Sequence, residues 1–176
     1  MRNIYWFIKR IYNALKAFYL EISKPSSFFK GEEFEKCIRK KVFVPSKYEL
    51  VMKTHDYNEN KKDYVESSLY PDYLFRNLKT GEEFFVEVKY RERLWDGKLN
   101  WCKPYQFKRY KKANLNYKII IAIGLGGRPR NPESVYLIPL DQIKYDSLNP
   151  SFFEKYKFDG KRKGIIDSLF DRVYEQ

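Results

Sequence analysis

Three side chains have the types and spacing to handle a charged oxygen: Asp72, and the pair Glu87 and Lys89 within Phe84-Phe85-Val86-Glu87-Val88-Lys89-Tyr90. That run is too apolar for a surface loop and reads as a strand. Side chains alternate along a strand, so Glu87 and Lys89 share a face, about 7 Å apart. Phe85 and Arg91 lie on that face, and Phe84, Val86, Val88 and Tyr90 form the opposite, core-facing one. A lone Glu-x-Lys is usually a same-face salt bridge, worth little when exposed. Asp72 adds a second carboxylate. It lies near the start of another extended run, residues 70–78, and Lys79-Thr80-Gly81 after it is turn chemistry, so the two runs form a hairpin. The hairpin returns Asp72 towards Glu87. Carboxylates that close repel, and a shared divalent cation removes the repulsion. The Val88 backbone carbonyl offers a further oxygen. Register decides the outcome. Asp72 opposite Glu87 or Lys89 shares their face, and opposite Val88 it does not. Both registers are open to this sequence, because a bulge at Gly81 can shift one to the other.

Other chemistries are poorly supplied. His55 is the single histidine and Cys37 and Cys102 are the two cysteines, which leaves no Cys/His zinc cluster and no disulfide framework. A histidine-based nucleophilic mechanism has to run through His55. Carboxylates and lysine remain, and they favour hard, oxygen-loving cations.

The elements around the hairpin follow from periodicity. Residues 2–22 read as a helix, with Ile4, Phe7, Ile8, Ile11, Leu15, Phe18 and Ile22 on one stripe and Lys9, Arg10 and Lys16 mostly off it. Packing against its own domain or a second copy is the expected role, and a helix lying on a membrane is the alternative. Lys24-Pro25-Ser26-Ser27 reads as a linker. A second helix is predicted over 31–42, a strand over 48–57, a helix from Pro104 to about Asn114, strands over 118–124 and 134–139, and a last helix over 164–174. The Ile-rich run 118–124 calls for cover on both faces. The pattern is α/β, a mixed central sheet flanked by helices. No apolar run is long enough to cross a membrane, and the N-terminus lacks the marks of a signal peptide.

Pro71-Asp72 followed by Glu87-Val88-Lys89 on the next strand resembles the PD-(D/E)xK nuclease superfamily. The resemblance implies a restriction-endonuclease-like three-layer core, here carrying an extra N-terminal amphipathic helix, and covers roughly residues 31–139. It implies Asp72, Glu87 and the Val88 carbonyl as ligands of Mg2+ or Mn2+, with Lys89 orienting the attacking water. The family often supplies a further acid from the preceding helix. Glu32, Glu33 and Glu35 are available; Glu35 borders the apolar stripe, while the first two are better read as acids favouring a helix N-terminus. Gln106-Phe107-Lys108-Arg109-Tyr110 resembles the Gln-hydrophobic-x-x-Tyr motif of the RecB-like branch. It implies a catalytic role for Gln106, with Tyr110 a packing aromatic on the same helix face. The expected catalytic set is Glu35, Asp72, Glu87, Lys89 and Gln106.

Charge points the same way. The 176 residues carry 35 Lys and Arg against 23 Asp and Glu, a net +12, which favours a polyanionic partner. Residues 97–132 hold no acid, and Lys103, Lys108, Arg109, Lys111, Lys112, Arg128 and Arg130 there are the candidates for neutralising a phosphodiester backbone. Trp95, Trp101 and Tyr105 either stack on unpaired bases or pack under a long loop. The expectation is a metal-dependent nuclease acting on DNA before RNA, built as a helix over 1–24 and a catalytic domain over 25–176. The alternative is an inactive nucleic-acid-binding module on the same fold. A cytoplasmic location is expected, with homodimerisation and membrane contact through residues 1–22 as further partner options.

Overall fold

The computed structural model describes residues 2–23, 25–54 and 70–160. The helix expected over 164–174 lies outside the described residues. In chain order the elements are α1 (Arg2–Ile22), α2 (Ser26–Lys41), β1 (Tyr48–Lys53), β2 (Tyr73–Asn77), β3 (Glu83–Arg91), β4 (Leu99–Asn100), α3 (Pro104–Ala113), β5 (Ile119–Leu125), β6 (Ser134–Pro139), β7 (Ser147–Leu148) and α4 (Pro150–Phe153). One boundary corrects the sequence reading. Ser26 and Ser27 begin a helix instead of belonging to a linker. Pro25 is the residue before it, at φ −57°, and a proline suits a helix entry because no N–H is required of it there. Glu32 and Glu33 therefore sit beyond the first turn of α2.

Five strands form one sheet in the order β1-β2-β3-β5-β6. β3 and β5 run parallel, from Phe85 opposite Ile119 to Arg91 opposite Leu125, and the other neighbours are antiparallel. A parallel pair needs a long crossover, and α3 lies within the segment that provides it. The sheet is mixed and flanked by helices, with an additional N-terminal helix, as the periodicity implied. β2 covers only the first half of β3, pairing Tyr73 with Val86 through Arg76 with Glu83. Among the described residues, β3 from Glu87 onward is paired on the β5 side alone.

Two apolar layers sandwich the sheet. On one face Phe34 and Ile38 of α2 pack with Phe43, Phe75, Phe84, Val86, Val88 and Ala122. On the other, Trp101 and Tyr110 join Phe85, Ile119, Ile121, Ile123, Leu140 and Phe153. The alternation along β3 is thus as read, but both of its faces are covered. Glu87 is buried, at 1% exposure. Trp101 is buried too: its ring stacks on Tyr110 and its indole N–H donates to the Tyr145 carbonyl at 3.1 Å. It packs in the core and does not face unpaired bases. One glycine is dictated by this packing. A Cβ on Gly124 would stand 2.5 Å from the Phe34 ring.

Among the described residues α1 does not pack on the domain. Its apolar side chains are open to solvent along the whole helix, Ile4, Phe7, Leu15 and Phe18 each at 60% exposure or more. Among the described residues, none of the domain covers this stripe.

Candidate metal and nucleic-acid site

The site forms where β2 stops and β3 continues. The ladder pairs Tyr73 with Val86, so continuing that register by one residue sets Asp72 opposite Glu87, the arrangement that puts both carboxylates on one face. Asp72 does more than face its partner. Its Oδ2 accepts the Val88 backbone N–H at 2.7 Å. The N–H and C=O of one strand residue point to the same side, so the Val88 carbonyl also faces this open edge, past the end of β2.

Glu87 and Lys89 form an ion pair through Glu87 Oε1. The other carboxylate oxygen, Oε2, is buried, and the Tyr110 phenol stands against this carboxylate. Burial, and then the neighbouring Glu87 charge, push the Asp72 carboxyl well above its ordinary range, against the opposing pull of Lys89 and the Val88 amide. Burial pulls the Lys89 ammonium down, but the Glu87 and Asp72 charges outweigh it and hold Lys89 above the usual lysine value. Lys89 is therefore a fixed cation at any working pH.

These donors fit a hard divalent ion. Two carboxylates held in mutual repulsion and an edge-facing carbonyl make an oxygen-only set. Among the described residues no group of three or more His, Cys, Asp or Glu side chains converges as a metal cluster; the candidate ligands among them are two acids and the Val88 carbonyl.

A cleft of about 630 Å³ opens beside the set, between the start of α2 and the end of β3. Ser26, Lys30, Glu35, Asp72, Val88, Lys89 and Arg91 are among its walls. Glu35 reaches it from α2, accepting the Tyr73 hydroxyl at 2.7 Å and pairing with Lys53 at 3.3 Å. Burial first, and then Glu35, push the Tyr73 phenol up, so it stays a donor. An ion pair between Lys30 and Glu92 ties α2 to the chain just after β3. Arg91 lines the same cleft, but its guanidinium is committed to the carbonyls of Asn100 at 2.7 Å and Trp101 at 2.8 Å.

The other residues singled out in the sequence are placed as follows. Gln106 accepts the Lys103 backbone N–H at 3.1 Å, which caps α3 in the manner of a capping box and commits its carbonyl oxygen to the helix end. The α3 residue standing beside Glu87 is Tyr110, whose phenol is pushed up by burial first and then by the Glu87 and Asp72 charges. Its packing on Trp101 agrees with the reading as a core aromatic, and its nearness to Glu87 adds a polar contact that the motif alone did not specify. Lys103, Lys108, Lys112, Arg128 and Arg130 are exposed. Arg130 pairs with Glu33 at 3.2 Å. Lys111 donates to the Leu140 carbonyl at 3.0 Å, and half-buried Arg109 lies 5.1 Å from the Tyr110 ring. Trp95 and Tyr105 are exposed at 69% and 61%.

Sequence reasoning missed Tyr73 and Lys53, which hold Glu35, and Lys30, which closes the cleft against Glu92. Tyr73 had one available signal. It follows Asp72, so its side chain must cross to the α2 face, where Glu35 lies.

No protein-family model matches the chain, and no curated protein does. Among solved structures it is similar to Hjc of Archaeoglobus fulgidus, a Holliday junction resolvase from an archaeal hyperthermophile. The TM-score is 0.50 at 14% identity, over 71% of this chain and 93% of that one. The two share a fold. At 14% identity the likeness to Hjc concerns architecture alone.

Proposed function

We propose that the protein is a divalent-metal-dependent nuclease acting on DNA, Mg2+ or Mn2+ being the ion. One observation carries the reading: Asp72, Glu87 and Lys89 come together at the edge of β3 that the β2 ladder leaves unpaired. The PD-(D/E)xK resemblance and the resolvase-like fold support it from independent directions. Holliday junctions and other branched DNA are accordingly the first substrates to offer.

In this reading Asp72, Glu87 and the Val88 carbonyl hold the cation. When bound, it polarises the scissile phosphate and makes a water acidic enough to attack at neutral pH. Glu87 fixes the Lys89 ammonium by their ion pair, so that a permanent positive charge faces the cleft where a phosphate gains negative charge. Tyr73 and Lys53 anchor Glu35 at the cleft wall, from which its carboxylate can orient a water. Gln106 acts by fixing the start of α3. Exposed Lys103, Lys108, Lys112, Arg128 and Arg130 neutralise the backbone, and Lys111 and Arg109 set the surface that carries them. Residues 25–176 form the catalytic domain, and residues 1–24 stand outside it.

The test is cleavage of junction, linear and single-stranded DNA with Mg2+, with Mn2+ and with a chelator. Metal-dependent cleavage by wild type, lost in a folded Lys89→Ala variant, is expected. Wild-type protein that binds DNA but cuts none of these with either metal defeats the proposal.

A further inference from the structure

α1 lies apart from the candidate site, and its side chains pose a separate question. We infer that α1 is a docking element for the surface of an anionic lipid bilayer, lying in the plane of the interface. The helix is about 31 Å long at 1.5 Å per residue, yet no described helix is long and apolar enough to cross a membrane. Apart from Trp6, which lies on the far side under Arg10, its large apolar and aromatic side chains are sorted into rows. Ile4, Phe7, Ile11, Leu15, Phe18 and Ile22 form the apolar row, all exposed. Tyr5, Tyr12 and Tyr19, seven residues apart and so nearly in line, form the next row, also exposed. Lys9 and Lys16, again seven apart, lie just beyond the tyrosines.

That order matches the layers of a bilayer surface. Aliphatic and phenyl groups meet the acyl region, tyrosines sit at headgroup level with a wet hydroxyl, and lysine ammoniums reach the phosphates. Between residues 4 and 19 the helix carries Lys9, Arg10 and Lys16 and no acid, so its charge complements anionic lipid. A seam with one other helix is a poorer fit. A coiled-coil contact uses a narrow stripe at two positions per heptad, whereas here Ile8, Leu15 and the tyrosine row widen the apolar face well past that.

The inference does not depend on catalysis and is tested without it. The full chain is floated with vesicles of phosphatidylcholine alone and of phosphatidylcholine mixed with phosphatidylglycerol. A double variant, Ile11→Ser with Phe18→Ser, leaves the net charge unchanged. Wild type should bind the anionic vesicles on the order of 10²-fold more tightly than the neutral ones, from three cations near the surface. The double variant should lose that binding while its circular dichroism melt stays that of wild type. Three results overturn the inference. Wild type does not float with anionic vesicles; or the double variant floats as well as wild type, so that the charge of the domain suffices; or sedimentation finds a dimer that the double variant dissolves, with vesicles binding neither protein.

Discussion

The Asp72 carboxylate accepts the amide proton of Val88 at 2.7 Å, so one oxygen of a candidate metal ligand is tied to the backbone that separates Glu87 from Lys89. Position and chemistry are coupled at this residue. Asp72→Asn keeps an acceptor for the amide and removes the charge. It should fold and lose metal-dependent cleavage by about 10²–10³-fold, a loss comparable to that of one well-placed charge-stabilising group. Asp72→Ala also abandons the amide and should be less stable than Asp72→Asn by about 1 kcal/mol. Kinetics and denaturant melts of the two variants, side by side, separate the roles.

The pH dependence of metal-free stability follows from the same carboxyl, raised by burial first and by Glu87 next. Asp72 holds its proton more tightly in the folded than in the unfolded chain. Its contribution is therefore fully present below the unfolded pKa of about 4 and declines as pH rises towards the folded value. Above that value the ionised group opposes folding. Chelator-treated Asp72→Asn should melt above wild type at neutral pH, and the gain should fade as pH falls towards 4. Added Mg2+ or Mn2+ should raise the wild-type melting temperature and leave that of Asp72→Asn unmoved. A wild-type melt indifferent to both ions contradicts the cation site.

Lys89 is a cation whose charge is held by Glu87 and Asp72 against its burial. Lys89→Met retains much of the side-chain volume and deletes the charge. Single-turnover cleavage should fall about 10²–10³-fold with DNA affinity little changed. Equal losses in binding and in rate would instead mark Lys89 as a phosphate contact.

The basic surface divides into free and committed residues. Lys108→Ala and Lys112→Ala remove exposed charges. Each should weaken DNA binding uniformly across sequences and lower the slope of log K against log salt by about 1. Lys111→Ala severs a bond to the Leu140 carbonyl, so its effect should appear in the melt more than in the slope. Fluorescence anisotropy across a salt series distinguishes the two groups.

Gly124 tests the contact between α2 and the sheet. Gly124→Ala forces a methyl group against the Phe34 ring, for a loss of about 1–3 kcal/mol. Phe34→Leu in the same chain should recover part of that loss. A neutral Gly124→Ala melt means α2 is not seated as described.

Much of this was written in local pattern. The hairpin, the Ile-rich β5 and the start of α3 at Pro104 follow from turn residues and periodicity, which act over a few positions. Strand alternation also put Glu87 and Lys89 on one face. It could not tell that this face is covered, because the cover comes from Trp101 and Tyr110, more than ten residues further on. Gln106 shows competition between two readings of one residue. At the third position of α3 it can reach back to the helix entry, and that short-range bond is the one formed. α1 is the opposite case. Its stripe was plain, but an amphipathic face declares only that something apolar meets it, and the described part of the domain does not cover it.

The short reach of β2 along β3 has a consequence for Pro71. A ladder that continued past Tyr73 would need a backbone donor at every second step, and proline has none to give and a fixed φ besides. Pro71 thus offers no donor to the stretch of β3 beyond Asp72, and among the described residues the ladder on that side ends at Tyr73. Replacing it with a strand-former such as valine would touch no ligand and no lysine, yet it would let the neighbouring chain grow along that stretch and close the doorway to any polymer.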